Sequence, residues 1–389
     1  MSQFDDIRPY YDEEVRPTVS RLLSNPNFRN AITRLTFPKL SQVIPFLVRP
    51  VVMWFVKRQL KDVNDIHGMQ MVVKSHMQRM MDRTMKGFSC SGLEKLDTNK
   101  SYLFVSNHRD IAMDPGFVQW ALHHSGHDTP RLAIGDNLLT MEYASDLMRL
   151  NKSFIVNRSA TGNKEKFRAL KHLSAYLHHS ICEEHSSCWI AQRQGRAKDG
   201  LDRTEAAVIK MFAMNKPKAQ TFAEYIRELH IVPVSISYEW DPLDEAKALE
   251  LFTQQNECSY QKGEHEDVMN IARGIDGTKG HVHVTFGEEM SGEFDDADAF
   301  AAELDRQIIT NYVLQPTNCI AYRSIYGRDP DVLVGTNRRP YNADDYKTDA
   351  HIFSERLRAM DPKLRHIVRQ MYANPVVSML EYQEVGDSN

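Results

Sequence analysis

The sequence predicts an α/β protein, with a mixed, largely parallel sheet covered by helices, a helical region ahead of it and a helical tail behind. Three observations lead there. Short apolar runs alternate with helical stretches between residues 88 and 290, the signature of a sheet with covered faces. Polar clusters repeatedly follow the ends of those runs, as in open α/β folds whose crevices lie at strand termini. Finally, 389 residues with 42% hydrophobic and 26% charged side chains describe a folded chain, with room for one large domain or two ordinary ones.

Residues 1–86 read as helical and irregular, interrupted by Pro38, Pro45 and Pro50. The run Val51-Val52-Met53-Trp54-Phe55-Val56 leads into Lys57-Arg58-Gln59-Leu60-Lys61, and residues 49–86 hold eight Lys or Arg against three Asp. Apolar bulk with Trp and Phe beside a basic excess is the composition of an interfacial segment. Six methionines between 69 and 85 suit an adaptable apolar groove. Strands are expected at 88–93 and 101–105 around a turn at 97–100, followed by a helix at 117–124. A short strand at 131–134, a helix at 137–150 and a strand at 153–159 come next. The helix at 164–181 carries one stripe of Phe167, Leu170, Leu173, Leu177 and Ile181. A strand at 187–191 ends in the polar stretch 192–200. Asp202 and Glu205 read as a capping pair opening a helix through 213. A helix at 219–230 feeds the strongly apolar strand 231–239. Residues 240–279 read as a polar connection, 281–287 as a strand, 296–313 as an amphipathic helix, and 342 onward as a polar helical tail packed on the domain. The resulting division is 1–86, a helical region that either contacts a membrane or packs on the domain with its Lys and Arg solvated; 87–335, the α/β domain; and 336–389, the tail.

Charge and composition exclude several classes. A net charge of −4 offers no case for nucleic-acid binding. Five cysteines (Cys90, Cys182, Cys188, Cys258, Cys319) lack metal-ligand spacing and are odd in number, which points to reduced thiols and a cytoplasmic setting. The acidic start of the chain is not followed by a signal-peptide core. No run reaches the roughly 18–20 apolar residues of a spanning helix. The nearest, 44–56, is broken by Arg49 and two prolines, so no transmembrane helix is expected.

The most informative stretch is Leu103-Phe104-Val105-Ser106-Asn107-His108-Arg109-Asp110-Ile111-Ala112-Met113-Asp114-Pro115. A buried strand here opens into His108 flanked by carboxylates. A neutral imidazole can take a proton from a hydroxyl while a carboxylate holds its tautomer. The His-Arg-Asp triplet also opens the protein-kinase catalytic loop, but that loop needs Asn five residues after the Asp, where Pro115 stands. With no glycine-rich loop before it and no Asp-Phe-Gly after it, the kinase reading fails. Further polar clusters follow later strands: Asn157-Arg158 after 153–156, Arg193 to Lys198 after 187–191, and Tyr238-Glu239 after 231–237. Arg158, Arg193, Arg196 and Lys198 would suit a phosphate cradle, with Gly195 permitting close backbone approach.

In these blocks the chain resembles the glycerolipid acyltransferase family, which includes glycerol-3-phosphate and 1-acylglycerol-3-phosphate acyltransferases. The family's first block, a His and an Asp separated by four residues and often preceded by Asn, resembles Asn107-His108 with Asp114. Its Phe-Ile-x-Arg-like strand end resembles Phe154-Ile155-Val156-Asn157-Arg158. Its Glu-Gly-x-Arg-like loop is similar to Gln194-Gly195-Arg196, and its Val-Pro strand to Ile231-Val232-Pro233-Val234. Two departures stand out. Five residues lie between His108 and Asp114, so Asp110 competes as partner, with Asp114 preferred. Gln194 replaces the family's Glu.

The resemblance implies an O-acyltransferase that moves a fatty acyl group from acyl-CoA or acyl carrier protein to a hydroxyl of lysophosphatidate or glycerol-3-phosphate in phospholipid synthesis. His108 would be the base, supported by Asp114 (or Asp110). Asn107, Asn157, Arg158, Arg193, Gln194, Gly195, Arg196 and Lys198 would bind substrate. No metal or cofactor is expected beyond the acyl donor. The protein would sit peripherally on the inner face of a membrane. The alternative is a catalytically silent lipid-binding or membrane-scaffolding member of the same fold.

Overall fold

The computed structural model describes residues 3–37, 40–139, 141–257, 260, 263 and 266–386. Pro38 and Cys258 therefore lie outside the described residues. Seven strands form the main sheet, in chain order β1 (Met85–Ser91), β2 (Leu103–Ser106), β3 (Arg131–Gly135), β4 (Ser153–Val156), β5 (Cys188–Ala191), β6 (Ile231–Tyr238) and β7 (Gly280–Phe286), and Leu333–Val334 with Arg339–Pro340 make a separate two-stranded sheet. The chain divides into two compact units that are not consecutive in sequence, residues 1–79 with 131–172, and residues 80–130 with 173–389.

The larger unit holds the order β1-β7-β6-β2-β5. β1 with β7, β6 with β2 and β2 with β5 pair in parallel, and β6 with β7 is the antiparallel pair of this sheet. The expected mixed, largely parallel α/β sheet is thus observed. β2, β5 and β6 are buried along their whole length, which explains their near-continuous apolar sequences. Strand alternation sends neighbouring side chains of β6 to opposite faces. On one face Tyr238 meets Phe117 of the helix Met113–His124, ring centroids 5.9 Å apart. On the other, Ser235 donates to the carbonyl of Ile308 in the helix Ala297–Thr310.

The C-terminal stretch is helical and packed on the domain, as expected, but its inner faces are apolar rather than polar. The helices Pro316–Tyr326, Lys347–Ala359 and Arg365–Gly386 contribute Ile320, Phe353, Leu357, Val368, Tyr372 and Val376 to a core shared with Trp240 and Ala248. The supposed connection 240–279 likewise contains two helices, Asp244–Glu257 and Glu266–Asp276. The first is anchored by buried Lys247, which pairs with Asp241.

In the smaller unit β3 and β4 pair in parallel. Its helices Asp12–Ser24 and Pro26–Thr36 and the start of Ile66–Thr84 bury Val15, Val19, Leu22, Phe28, Ile66 and Met69 together with Leu150. The expected helix at 137–150 is a short 3-10 turn, Asp136–Leu138, then a helix at Glu142–Leu150. The helix Pro45–Gln59 leaves Phe46, Leu47, Val51, Trp54 and Phe55 exposed. No helix among the described residues is long and apolar enough to cross a membrane.

Candidate active site

β2 is central, held between β5 and β6, and its last residues place the site. Directly after the strand, Asn107 is fully buried. Its amide accepts from the backbone N of Ile236 at 2.8 Å and donates to the Ile236 carbonyl at 3.0 Å and to Asp202 Oδ2 at 3.1 Å. Expected at the substrate, Asn107 instead clamps β6 to the end of β2. The next residue, His108, then emerges into a partly exposed position.

His108 Nδ1 lies 2.9 Å from Asp114 Oδ2. The extra residue between them is absorbed by a tight turn folded around the Asp114 carboxylate. Asp114 Oδ2 also accepts from the backbone N of Arg109 at 2.5 Å and of Asp110 at 2.8 Å. Oδ1 accepts the Tyr238 hydroxyl at 2.6 Å. Four hydrogen bonds to one fully buried carboxylate hold it in one orientation. Burial, with the Asp114 charge, pushes the Tyr238 phenol well above its ordinary pKa, so it stays a donor. With Nδ1 tied to a carboxylate, Nε2 is left for a reacting proton, and the indole of Trp189 packs edge-on against the ring at 5.8 Å.

Asp110, the competing partner, makes no hydrogen bond to His108 among the described residues. Its Oδ1 accepts from the backbone N of Ala112 and Met113, opening the helix that carries Asp114. Its Oδ2 is buried without a protein partner. Burial and the neighbouring Asp114 raise its pKa.

The loop after β5 packs directly on the histidine, since Ala197 N donates to the His108 carbonyl at 2.8 Å. Arg196 makes no hydrogen bond or ion pair among the described residues, and its Nη1 is buried. Arg193 Nε is also buried, 3.9 Å from Glu205 Oε1. Gln194 is exposed, and its backbone N reaches Glu205 Oε2 at 3.2 Å. Gly195 sits at φ +78°, where a side chain would be strained. Lys198, expected at a phosphate, is paired with buried Glu250.

Asn157 and Arg158 belong to the smaller unit. Asn157 Oδ1 accepts from Ala160 N at 3.0 Å, closing a turn, so its side chain is committed to the backbone. Arg158 is exposed. Its backbone N is held by Asp136, and Gly135 leaves room for its side chain, since a Cβ there would come within 2.9 Å of Nε.

Sequence reasoning missed Tyr238, Arg109 and Asp202 as parts of the site. Asp202 is not a helix cap. It is buried and receives Arg109 Nη2 at 2.5 Å, while the helix Ala206–Phe212 has Glu205 at its N-cap with no side-chain cap bond. Arg109 also donates to the Gly200 carbonyl at 3.2 Å and lies 5.6 Å from the Tyr312 ring centroid. Buried polar atoms without protein partners concentrate here: Arg109 Nε, Asp110 Oδ2, Gln192 Nε2, Arg193 Nε, Arg196 Nη1 and Asp202 Oδ1. Native structures leave few such atoms, and clusters of them mark ligand or water positions. A cavity of about 30 Å³ beside Arg109, Tyr238 and Tyr312 has room for water but not for a substrate.

Residues 87–237 match the sequence model of the Acyltransferase family, a span that holds all four blocks read from the sequence. No curated protein matches the chain. Among solved structures it is similar to the 1-acyl-sn-glycerophosphate acyltransferase of Thermotoga maritima. That likeness has 14% identity and a TM-score of 0.35, covering 72% of this chain and 94% of that one.

Proposed function

We propose that this chain, whose residues 87–237 match the sequence model of the Acyltransferase family, moves a fatty acyl group from a CoA or carrier-protein thioester to a hydroxyl of a glycerophosphate-type acceptor. The His108–Asp114 dyad is the observation that carries the reading. Nε2 of His108 removes the acceptor's hydroxyl proton as its oxygen attacks the thioester carbonyl. Asp114 stabilises the imidazolium that forms. Collapse of the tetrahedral intermediate breaks the C–S bond, and the proton on Nε2 passes to the departing thiolate. The products are ester and free thiol, so acid and base are restored without a further cofactor.

Arg196, beside His108 through Ala197 and with a buried Nη1 that has no hydrogen-bond partner among the described residues, is assigned to the acceptor's phosphate. Arg193 supports it from the same loop. The exposed apolar face of the helix Pro45–Gln59, with Lys57 and Arg58 in its last turn, supports a peripheral membrane position from which lipid substrates are drawn.

The test is thiol release from a long-chain acyl thioester of CoA or acyl carrier protein. It is run with glycerol-3-phosphate, with lysophosphatidate and with no acceptor. Acceptor-dependent release should fall by roughly 10²–10⁴-fold in His108→Ala. Arg196→Ala should raise the acceptor's KM more than the donor's. Acceptor-independent release would indicate a hydrolase. Binding of the thioester without turnover would indicate a silent lipid-binding protein.

A further inference from the structure

We infer that His178, Cys182 and Glu228 form a binding site for a transition-metal dication, with Zn(II) the best match. The site is separate from the His108 machinery and uses none of its residues. His178 and Cys182 lie one turn apart on the helix Asn163–Cys182, so both side chains project from the same face. Glu228 caps the helix Phe222–Arg227, immediately before the turn into β6. His178 Nε2 lies 2.9 Å from Glu228 Oε2 and 3.6 Å from Cys182 Sγ. The three donor atoms all fall within 4.8 Å of one another.

Those spacings suit one central ion. Zinc bonds of about 2.3 Å to sulfur and about 2.0–2.1 Å to nitrogen or oxygen give tetrahedral edges of about 3.5 Å for N···S and about 3.3 Å for N···O. The N···S edge is already in place, and the N···O edge opens by a few tenths of an ångström once a metal enters. The surroundings also orient the ligands. Tyr225 stacks on the His178 ring at 5.1 Å and 8°, and Gln220 Nε2 donates to Glu228 Oε1 at 2.6 Å, leaving Oε2 for the ion. All three ligands are half-buried, and therefore reachable from solvent. A thiolate in the set favours zinc over magnesium or calcium, and three protein ligands leave a fourth position for water. Binding releases the Cys182 thiol proton to solvent, and the His178 imidazole carries its proton on Nδ1 so that the Nε2 lone pair faces the ion. The ion would clip the last turn of the long helix to the segment that leads into β6, the strand clamped by Asn107.

The experiment uses the full chain, stripped of metal with a chelator and then titrated with Co(II) and with Zn(II). One equivalent of Co(II) should give a near-ultraviolet thiolate-to-cobalt band that Zn(II) abolishes, and Zn(II) should raise the unfolding temperature. Cys182→Ser should lose the band, and Glu228→Gln and His178→Gln should each weaken binding by roughly tenfold or more. All three variants should keep the metal-free circular dichroism spectrum and the thiol-release rate. Two results would overturn the site: no band up to millimolar Co(II), or a band that persists in Cys182→Ser. The first leaves His178 and Glu228 as a plain ion pair, and the second places the thiolate at another cysteine.

Discussion

The Asp114 carboxylate is the most heavily constrained polar group of the site, and Tyr238 is the residue through which that constraint can be tested. Two of its four hydrogen bonds come from backbone amides, which side-chain substitutions other than to proline leave in place. The Tyr238 hydroxyl supplies a third. A hydrogen bond to an ionised group is worth about 1.5–3 kcal/mol. Tyr238→Phe should therefore lower kcat by roughly tenfold to a hundredfold with little change in either KM. Steady-state kinetics on both substrates check this, and a change confined to KM would place Tyr238 at a substrate instead. The same scale shows where sequence reading ends. His108 and Asp114 could be named because their chemistry is carried by residue type. Asp202 was assigned to a cap because Asp three residues before Glu is a local pattern. Its real partner, Arg109, lies 93 residues earlier, and no local pattern contains that pairing.

Among the elements, the fully buried strands were legible because burial on both faces writes an apolar run into the chain. The helices Asp244–Glu257 and Glu266–Asp276 were not. Asp244–Glu257 carries no clean apolar stripe, with Leu249 exposed, and Glu266–Asp276 is short, opens on Glu266 and Asp267, and leaves Val268 and Met269 exposed. The helix Pro45–Gln59 is the opposite case, apolar on faces that nothing in its own unit covers, with Phe46 71% and Trp54 56% exposed. Inserting an aromatic side chain into a lipid interface is worth about 1.5–3 kcal/mol. The double variant Trp54→Ser/Phe55→Ser should therefore lower partitioning onto anionic vesicles by at least about tenfold while leaving the melting temperature nearly unchanged. Vesicle co-sedimentation checks it, and unaltered partitioning would move the contact elsewhere.

At the scale of the whole molecule, the C-terminal helix reaches the site from the far end of the chain. Asn374 Nδ2 donates to the Asp199 carbonyl at 2.6 Å. Gly200 packs so closely on the same helix that a Cβ would sit 2.1 Å from the Met371 carbonyl oxygen, and its φ of +82° already disfavours a side chain. The Gly200 carbonyl in turn receives Arg109. Gly200→Ala should therefore cost more than about 2 kcal/mol and reduce turnover as well. Gly195→Ala, with open space around it, should cost about 1 kcal/mol, for its backbone conformation alone. Denaturant unfolding of the two variants separates the contributions, and equal losses would remove the helix contact from the account. The clamp at Asn107 has a consequence in time as well as space. Its partner Ile236 lies 129 residues downstream, and Trp189, which donates to Ser106, lies 83 residues downstream. During synthesis the strand that carries the base therefore leaves the ribosome long before either neighbour exists. Such high contact order makes for slow folding, and an unpaired apolar edge waiting this long invites association with other chains. The arrangement that fixes Asn107 and Asp114 so firmly in the finished fold leaves the nascent chain with an unpaired apolar edge, the kind of surface that chaperones cover.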